Sequence, residues 1–225
     1  PADTAIFNQK SEANKMHKKL FLSSYFKEVA ALLPECAGEL SGKRVVFIPA
    51  ASVVEKVAFF VKSGKKALEK LGMVVDELDL TQADAAEIQR KIADSDAIYI
   101  CGGNTFFLLQ EMKRTGADKL IAAAVHAGKL YIGESAGAMV AAHNIEYAAL
   151  MDTPKKAPDL QSFDALGLVD FYPVPHYTNP PFQKAAHKMA EQYGRQFEIK
   201  AISNHEAIWV DGDNIAVKSV ARAEQ

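Results

Sequence analysis

The sequence predicts an α/β fold, a doubly wound and mostly parallel sheet with helices on both faces. Three observations lead there. Short apolar, β-branched runs alternate with longer segments of helical period, as strands joined by crossover helices do. The strand-like runs are continuously apolar rather than alternating, so both faces of each strand are expected to be covered. A chain of 225 residues with 49% apolar content can bury one large core.

Along the chain, "KKLFLSS" (18–24) reads as a strand and "YFKEVAALLPECAGEL" as helical. "KRVVFIPAAS" (43–52) is a second strand; from Val53 to Leu71, the residues Val54, Val57, Ala58, Val61, Leu68 and Leu71 can share one helical stripe that ends at Gly72. "MVVDELDL" and "AIYICGG" (97–103) flank a third helical segment, "ADAAEIQRKIAD". "NTFFLLQEMKRTGADKLIAAAVHAG" is long enough for two helices broken near Gly116. "KLYIGES" (129–135) is a buried strand, after which "GAMVAAH" opens a helix. Residues 147–182 are rich in proline, aspartate and aromatic residues with little period, so they read as functional loops around one short strand, "FYPVPH". "PPFQKAAHKMAEQYGRQ" then reads as a helix opening on proline, and "IKAISNHEAIWVDGDNIAVKS" as closing strands with a turn at "DGDN".

Composition narrows the function classes. With 26 basic and 28 acidic residues and a formal net charge of −2, the chain offers no electrostatic footprint for nucleic acid or an anionic membrane, which favours a small-molecule or peptide partner. Cys36 and Cys101 lie far apart and outside metal-ligand spacing, so neither a disulfide scaffold nor a metal site is expected, and a reducing cytoplasm fits best. No apolar run is long enough to span a membrane and no cleavable leader is read. Residues 1–15, polar and aperiodic, are set aside as a disordered arm or a remnant ahead of Met16, and 16–225 are expected to form a single domain.

The most informative stretch is "YIGESAGAMVAAH" (131–143). Gly133-Glu134-Ser135-Ala136-Gly137 has the Gly-x-Ser-x-Gly form of a nucleophile elbow, a strained turn that raises a serine hydroxyl at the carboxyl end of a strand. The same five residues would also serve a tight strand-to-helix junction without chemistry. The strand before Ser135 and the helix after it are the context the nucleophile reading requires. A serine hydroxyl needs a base. Of the six histidines, His17, His126 and His187 read as surface positions, and His143 lies about two helical turns from Ser135, roughly 12 Å along a helix. His205 stays possible; His176, after a short apolar strand at the mouth of a proline-rich loop, is preferred. A third group should orient the imidazole, and Glu206 is the candidate, with Asp152 and Asp164 in the long loop as competitors. In "ICGGNTFFLL" (100–109) the paired glycines allow close backbone approach to a ligand, while Asn104 and Thr105 can cap the next helix.

Four stretches in register, "GGNTFFLL", "LYIGESAGA", "FDALGLVDFYPVPHYTN" and "ISNHEAIWV", resemble the peptidase E family of serine peptidases, the aspartyl dipeptidases to which cyanophycinase is related. The resemblance runs from about residue 18 to residue 218. It implies a flavodoxin-like or class I glutaminase-like three-layer sandwich that cleaves small peptides. No metal-ligand cluster or cofactor fingerprint is read in the sequence, so the chemistry is expected to need neither, and monomer and homodimer both stay open. The resemblance also bears on the site residues. It assigns Ser135 as nucleophile, His176 as base, Glu206 as acid, and the N–H groups of Gly103 and Ala136 as the oxyanion hole. Asn104, Thr105, Glu134, Tyr177 and Asn179 fall at substrate-binding positions. Two departures stand out: Glu134 occupies a position where these enzymes commonly carry tryptophan, and no arginine-rich segment follows "PHYTN". Strict aspartate specificity is therefore not expected. The other readings are a hydrolase of a β-aspartyl or ester linkage on the same scaffold, and a catalytically idle binding protein.

Overall fold

The computed structural model describes residues 17–56 and 58–220; the segment set aside at 1–15 lies outside the described residues. Its centre is a seven-stranded sheet in the order β3-β2-β4-β5-β1-β8-β9. The strands are β1 (Lys19–Ser23), β2 (Arg44–Ile48), β3 (Val74–Glu77), β4 (Ala97–Ile100), β5 (Leu130–Glu134), β8 (Glu206–Asp211) and β9 (Asn214–Ser219). The first five run parallel, and β8 and β9 add an antiparallel hairpin beside β1. A separate two-stranded sheet pairs β6 (Tyr172–Val174) with β7 (Ile199–Ala201). The helices are α1 (Phe26–Val29), α2 (Leu33–Ala37), α3 (Phe59–Lys70), α4 (Ala85–Asp94), α5 (Thr105–Thr115), α6 (Ala117–His126), α7 (Ala136–Met139) and α8 (Gln183–Tyr193).

The continuous apolar runs do what their pattern requires. Successive residues of one strand enter opposite layers. Leu20, Leu22, Val46, Ile48, Ile98 and Ile100 pack in one layer. Phe21, Val45, Phe47, Ala97, Tyr99 and Ile132 pack in the other, where Phe47 and Tyr99 stack at 4.8 Å. Both faces of the inner parallel strands are thus buried, and in an open α/β sheet the loops at the strands' carboxyl ends are where a site is expected.

Local signals place most elements. Asp84 accepts from Glu87 N as the N-cap of α4, Asn104 does the same for Phe107 N at α5, and Gly116 at φ 74° separates α5 from α6. Two expectations are corrected. The helix expected from Val53 begins only at Phe59: residues 50–52 form a 3-10 turn, Val53 is exposed, and the face that α3 buries is Gly64, Ala67 and Leu68. Val57, part of the expected stripe, lies outside the described residues. The helix after Ser135 is also only one turn long, because Ala141 and Ala142 leave it to pack against the loop at 165–169.

Candidate active site

Ser135 stands at the carboxyl end of β5, the central strand of the sheet, between the ends of β4 and β1. Its backbone sits at φ 51°, ψ −105°, a region that non-glycine residues seldom occupy. The glycines on either side make the turn possible by close approach. A Cβ on Gly133 would lie 2.5 Å from Gly137 O, and one on Gly137 would lie 2.2 Å from Ile100 O. The strand-to-helix crossing therefore admits no side chain at either place, and the Gly-x-Ser-x-Gly spacing is a steric necessity here.

Among the described residues only two non-glycine positions have positive φ, Ser135 and His176 at φ 60°. They meet: Ser135 Oγ lies 3.0 Å from His176 Nε2. The two strained residues are braced by neighbouring positions of β1's end. Ser135 N donates to Ser23 O at 2.8 Å, and His176 N donates to Ser24 Oγ at 2.9 Å, while Ser24 Oγ donates to Ile202 O. Phe182 covers the imidazole with ring centroids 5.0 Å apart.

The third position differs from the expectation. Glu206 is not brought to the imidazole: its Oε2 accepts from Ser203 N at 2.7 Å and so closes the turn at the start of β8. The turn it closes presents Asn204, whose Oδ1 lies 2.8 Å from His176 Nδ1. An amide oxygen can only accept, so the proton sits on Nδ1 and Nε2 is left to accept from the serine hydroxyl, as a base must. Asn204 is in turn held by Asn179, whose Oδ1 accepts from Asn204 N at 2.8 Å. The competing acids are elsewhere. Asp152 accepts from Thr105 N and Oγ1, and Asp164 is engaged with Asn144 and Ser162.

Burial lowers the His176 pKa from its ordinary 6.5, and the hydrogen bond to Asn204 opposes that only in part. The imidazole is accordingly neutral at pH 7. Since the neutral form is the one that accepts a proton, activity dependent on it is retained above the folded-state pKa and lost as pH falls through it. The acid limb of kcat/KM is expected below pH 6.5, and a limb above that value would show that another group titrates.

The two residues expected to form an oxyanion hole belong to elements next to Ser135. Ala136 is the first residue of α7, where a helix N–H has no intrahelical partner, and Gly103, at φ 133°, belongs to the loop after β4. That loop touches the nucleophile position: a Cβ on Gly102 would lie 3.3 Å from Ser135 Cβ. The two expected donors therefore stand on the loop and the helix that adjoin Ser135.

Glu134 is corrected from a substrate-binding position. It is 1% exposed and points into the layer beneath the site. Its Oε1 accepts from Phe26 N at 3.0 Å and its Oε2 from the Tyr99 hydroxyl at 2.7 Å. Burial raises the Glu134 pKa, and the hydrogen bonds from Tyr99, Phe26 N, Gly102 N and Cys101 oppose that rise. The side chain therefore ties the ends of β1 and β4 to β5. Glu134→Leu would strand these buried donors, at a cost of about 3 kcal/mol or more if each orphan costs ~1–3. The urea midpoint is expected to fall clearly, and an unchanged midpoint would refute the clamp.

Asn104 and Thr105, also expected at the substrate, are engaged in structural contacts. Asn104 caps α5 and donates to Thr153 O, and Thr105 is wholly buried against Asp152. Burial pushes the Asp152 pKa up to about 6 against the hydrogen bonds from Thr105. Tyr177 packs on His187 at 4.4 Å, and Asn179 braces Asn204 as described. Sequence reasoning missed Asn204, Ser23, Ser24 and Phe182. Only Asn204 carried a signal, since an amide can replace the acid wherever the base needs orientation more than charge. Among the described residues, no group of His, Cys, Asp and Glu is arranged to hold a metal ion.

Comparison with known proteins follows the same lines. The model of peptidase family S51 matches residues 19–218. An uncharacterized peptidase of Listeria monocytogenes is 52% identical over 204 residues, covering 91% of this chain and all of that protein. Peptidase E of Citrobacter koseri is 35% identical over 184 residues, covering 79% of this chain and 77% of its own. A crystal structure of a peptidase E-type protein from Listeria monocytogenes EGD-e superposes with a TM-score of 0.87 at 52% identity, over 91% of this chain and 100% of that one. A peptidase from an acI-B1 actinobacterium shares the fold, with a TM-score of 0.67 at 21% identity over 92% of this chain and 90% of its own.

Proposed function

From the premise that this chain belongs to peptidase family S51 and is a peptidase, we propose that it is a serine peptidase acting on short peptides through Ser135, His176 and Asn204. The observation that carries the reading is the 3.0 Å contact between Ser135 Oγ and His176 Nε2, made by the two residues held at positive φ. Backbone strain at both partners of one polar contact is expected where function, rather than packing, selects the conformation.

In this reading His176 Nε2 takes the hydroxyl proton as Ser135 Oγ bonds to the scissile carbonyl carbon. The carbonyl oxygen becomes an alkoxide received by the N–H groups of Gly103 and Ala136. Collapse of this tetrahedral adduct breaks the C–N bond, with the imidazolium returning its proton to the leaving amine. Water then attacks the acyl ester, His176 again takes the proton, and the carboxylate departs as Ser135 regains its hydrogen. The imidazolium faces a neutral amide, so Asn204 supplies orientation and a dipole rather than a counter-charge.

The test is a panel of di- and tripeptides with free termini beside a folded protein substrate. The reading predicts cleavage of the short peptides alone. Cleavage of esters or β-aspartyl linkages without normal peptides would replace it by a different hydrolase on the same scaffold.

A further inference from the structure

Ser24 is not one of the reacting groups, yet its hydroxyl stands where the segments that hold the nucleophile, the base and the orienting amide meet. It is 1% exposed and directly follows Ser23, whose carbonyl receives Ser135 N at 2.8 Å. Its Oγ accepts from His176 N at 2.9 Å and donates to Ile202 O at 3.1 Å. Ile202 lies two residues before Asn204, the partner of His176 Nδ1. One oxygen at the end of β1 therefore holds both the segment of the base and the segment of its amide.

Neither segment is regular structure at the point where Ser24 holds it. His176 lies past the end of β6 at φ 60°, and Asn204 lies in the turn between β7 and β8. The β6–β7 sheet from which both segments emerge is separate from the seven-stranded sheet that carries Ser135. The 3.0 Å reach from Ser135 Oγ to His176 Nε2 thus depends on contacts made between the two sheets. A backbone at positive φ keeps that conformation only where its surroundings hold it there, and Ser24 Oγ holds the amide of this one.

We propose that Ser24 is a positioning residue for the reaction: its hydroxyl sets the His176 imidazole, together with Asn204, where Nε2 can take the Ser135 proton. The inference rests on the serine-peptidase reading above. Without that hydroxyl, His176 N loses its acceptor and Ile202 O loses a donor, so the imidazole can shift away from Ser135 Oγ. A base out of place slows the chemical step and leaves ground-state binding of the peptide as it was.

The experiment compares the wild-type chain, Ser24→Ala, Asn204→Ala, the double variant and Ser135→Ala on a cleaved short peptide, at a temperature where circular dichroism shows each to be folded. Ser24→Ala is expected to lower kcat by about 10- to 100-fold with KM little changed, the effect of displacing a reacting group by ~1 Å. Phosphonylation of Ser135 by a small fluorophosphonate should slow by a similar factor, since it needs the same base and no bound peptide. If Ser24→Ala fails to fold, Ser24→Cys fills the space with a group that hydrogen-bonds weakly, and the same losses are expected. Because Ser24 acts through the base and its amide, the double variant should lose less than the product of the two single losses. A folded Ser24 variant with wild-type kcat and phosphonylation rate, a loss confined to KM, or losses that multiply in the double variant would each overturn the positioning role and leave the serine-peptidase reading intact. Absence of any wild-type cleavage above Ser135→Ala would overturn both.

Discussion

Ser135→Ala and His176→Ala are each expected to reduce kcat/KM for a cleaved peptide by about 10³-fold or more, with the double variant no worse than either single one. The reason is that the 3.0 Å contact makes one chemical unit of the two side chains. Without the hydroxyl there is nothing to deprotonate; without the imidazole the hydroxyl keeps its proton. What survives is whatever the oxyanion donors and substrate binding contribute, and both single variants leave those in place. Each substitution also keeps the backbone hydrogen bonds that hold the turn, Ser135 N to Ser23 O and His176 N to Ser24 Oγ. Folding should therefore be preserved, and the loss should appear in kcat rather than KM. Additive losses in the double variant would mean that the two residues act separately.

Asn204→Ala against Glu206→Gln is the second large contrast. Removing the Asn204 amide frees the imidazole to rotate and to place its proton on Nε2, for an expected loss of about 10²-fold, the low end of what a positioned base contributes. Glu206→Gln retains an oxygen for Ser203 N, so activity should stay within a few-fold of wild type. The reverse order would restore Glu206 as the orienting acid. Asn204→Asp gives a signature that loss of folding cannot mimic. A carboxylate at Nδ1 stabilises the imidazolium and raises the His176 pKa, so the acid limb of the pH profile should move to higher pH.

The fold was legible because its information is periodic. Unbroken runs such as Val45 to Ile48 and Ala97 to Ile100 can only be strands covered on both faces, and Gly116 marks the break between α5 and α6. The segment from Val53 was misread because its valines match a helical stripe while the chain there turns beside the crevice, with Val53 exposed. Both strands of the small β6–β7 sheet were legible in "FYPVPH" and "IKA", but their pairing was not, since three-residue strands in distant parts of the chain carry no register signal.

At the site, Ser135 was legible from its flanking glycines and His176 from its place at a loop mouth. Asn204 was overlooked because the search was for a charge, and Glu206, two residues on, supplied one. Glu134 shows the limit of reasoning from neighbours in sequence. It adjoins the nucleophile in the chain, yet strand alternation turns it into the opposite layer, where Tyr99 and Phe26 N receive it.

The central claim is that Ser135 is a nucleophile activated by His176. The most direct measurement is intact-protein mass spectrometry after exposure to a small fluorophosphonate, followed by peptide mapping. A single adduct on Ser135 is predicted, formed more slowly as pH falls through the acid limb and absent from Ser135→Ala. A wild-type chain that stays unmodified while control serine hydrolases in the same tube are labelled, or an adduct on another residue, would contradict it.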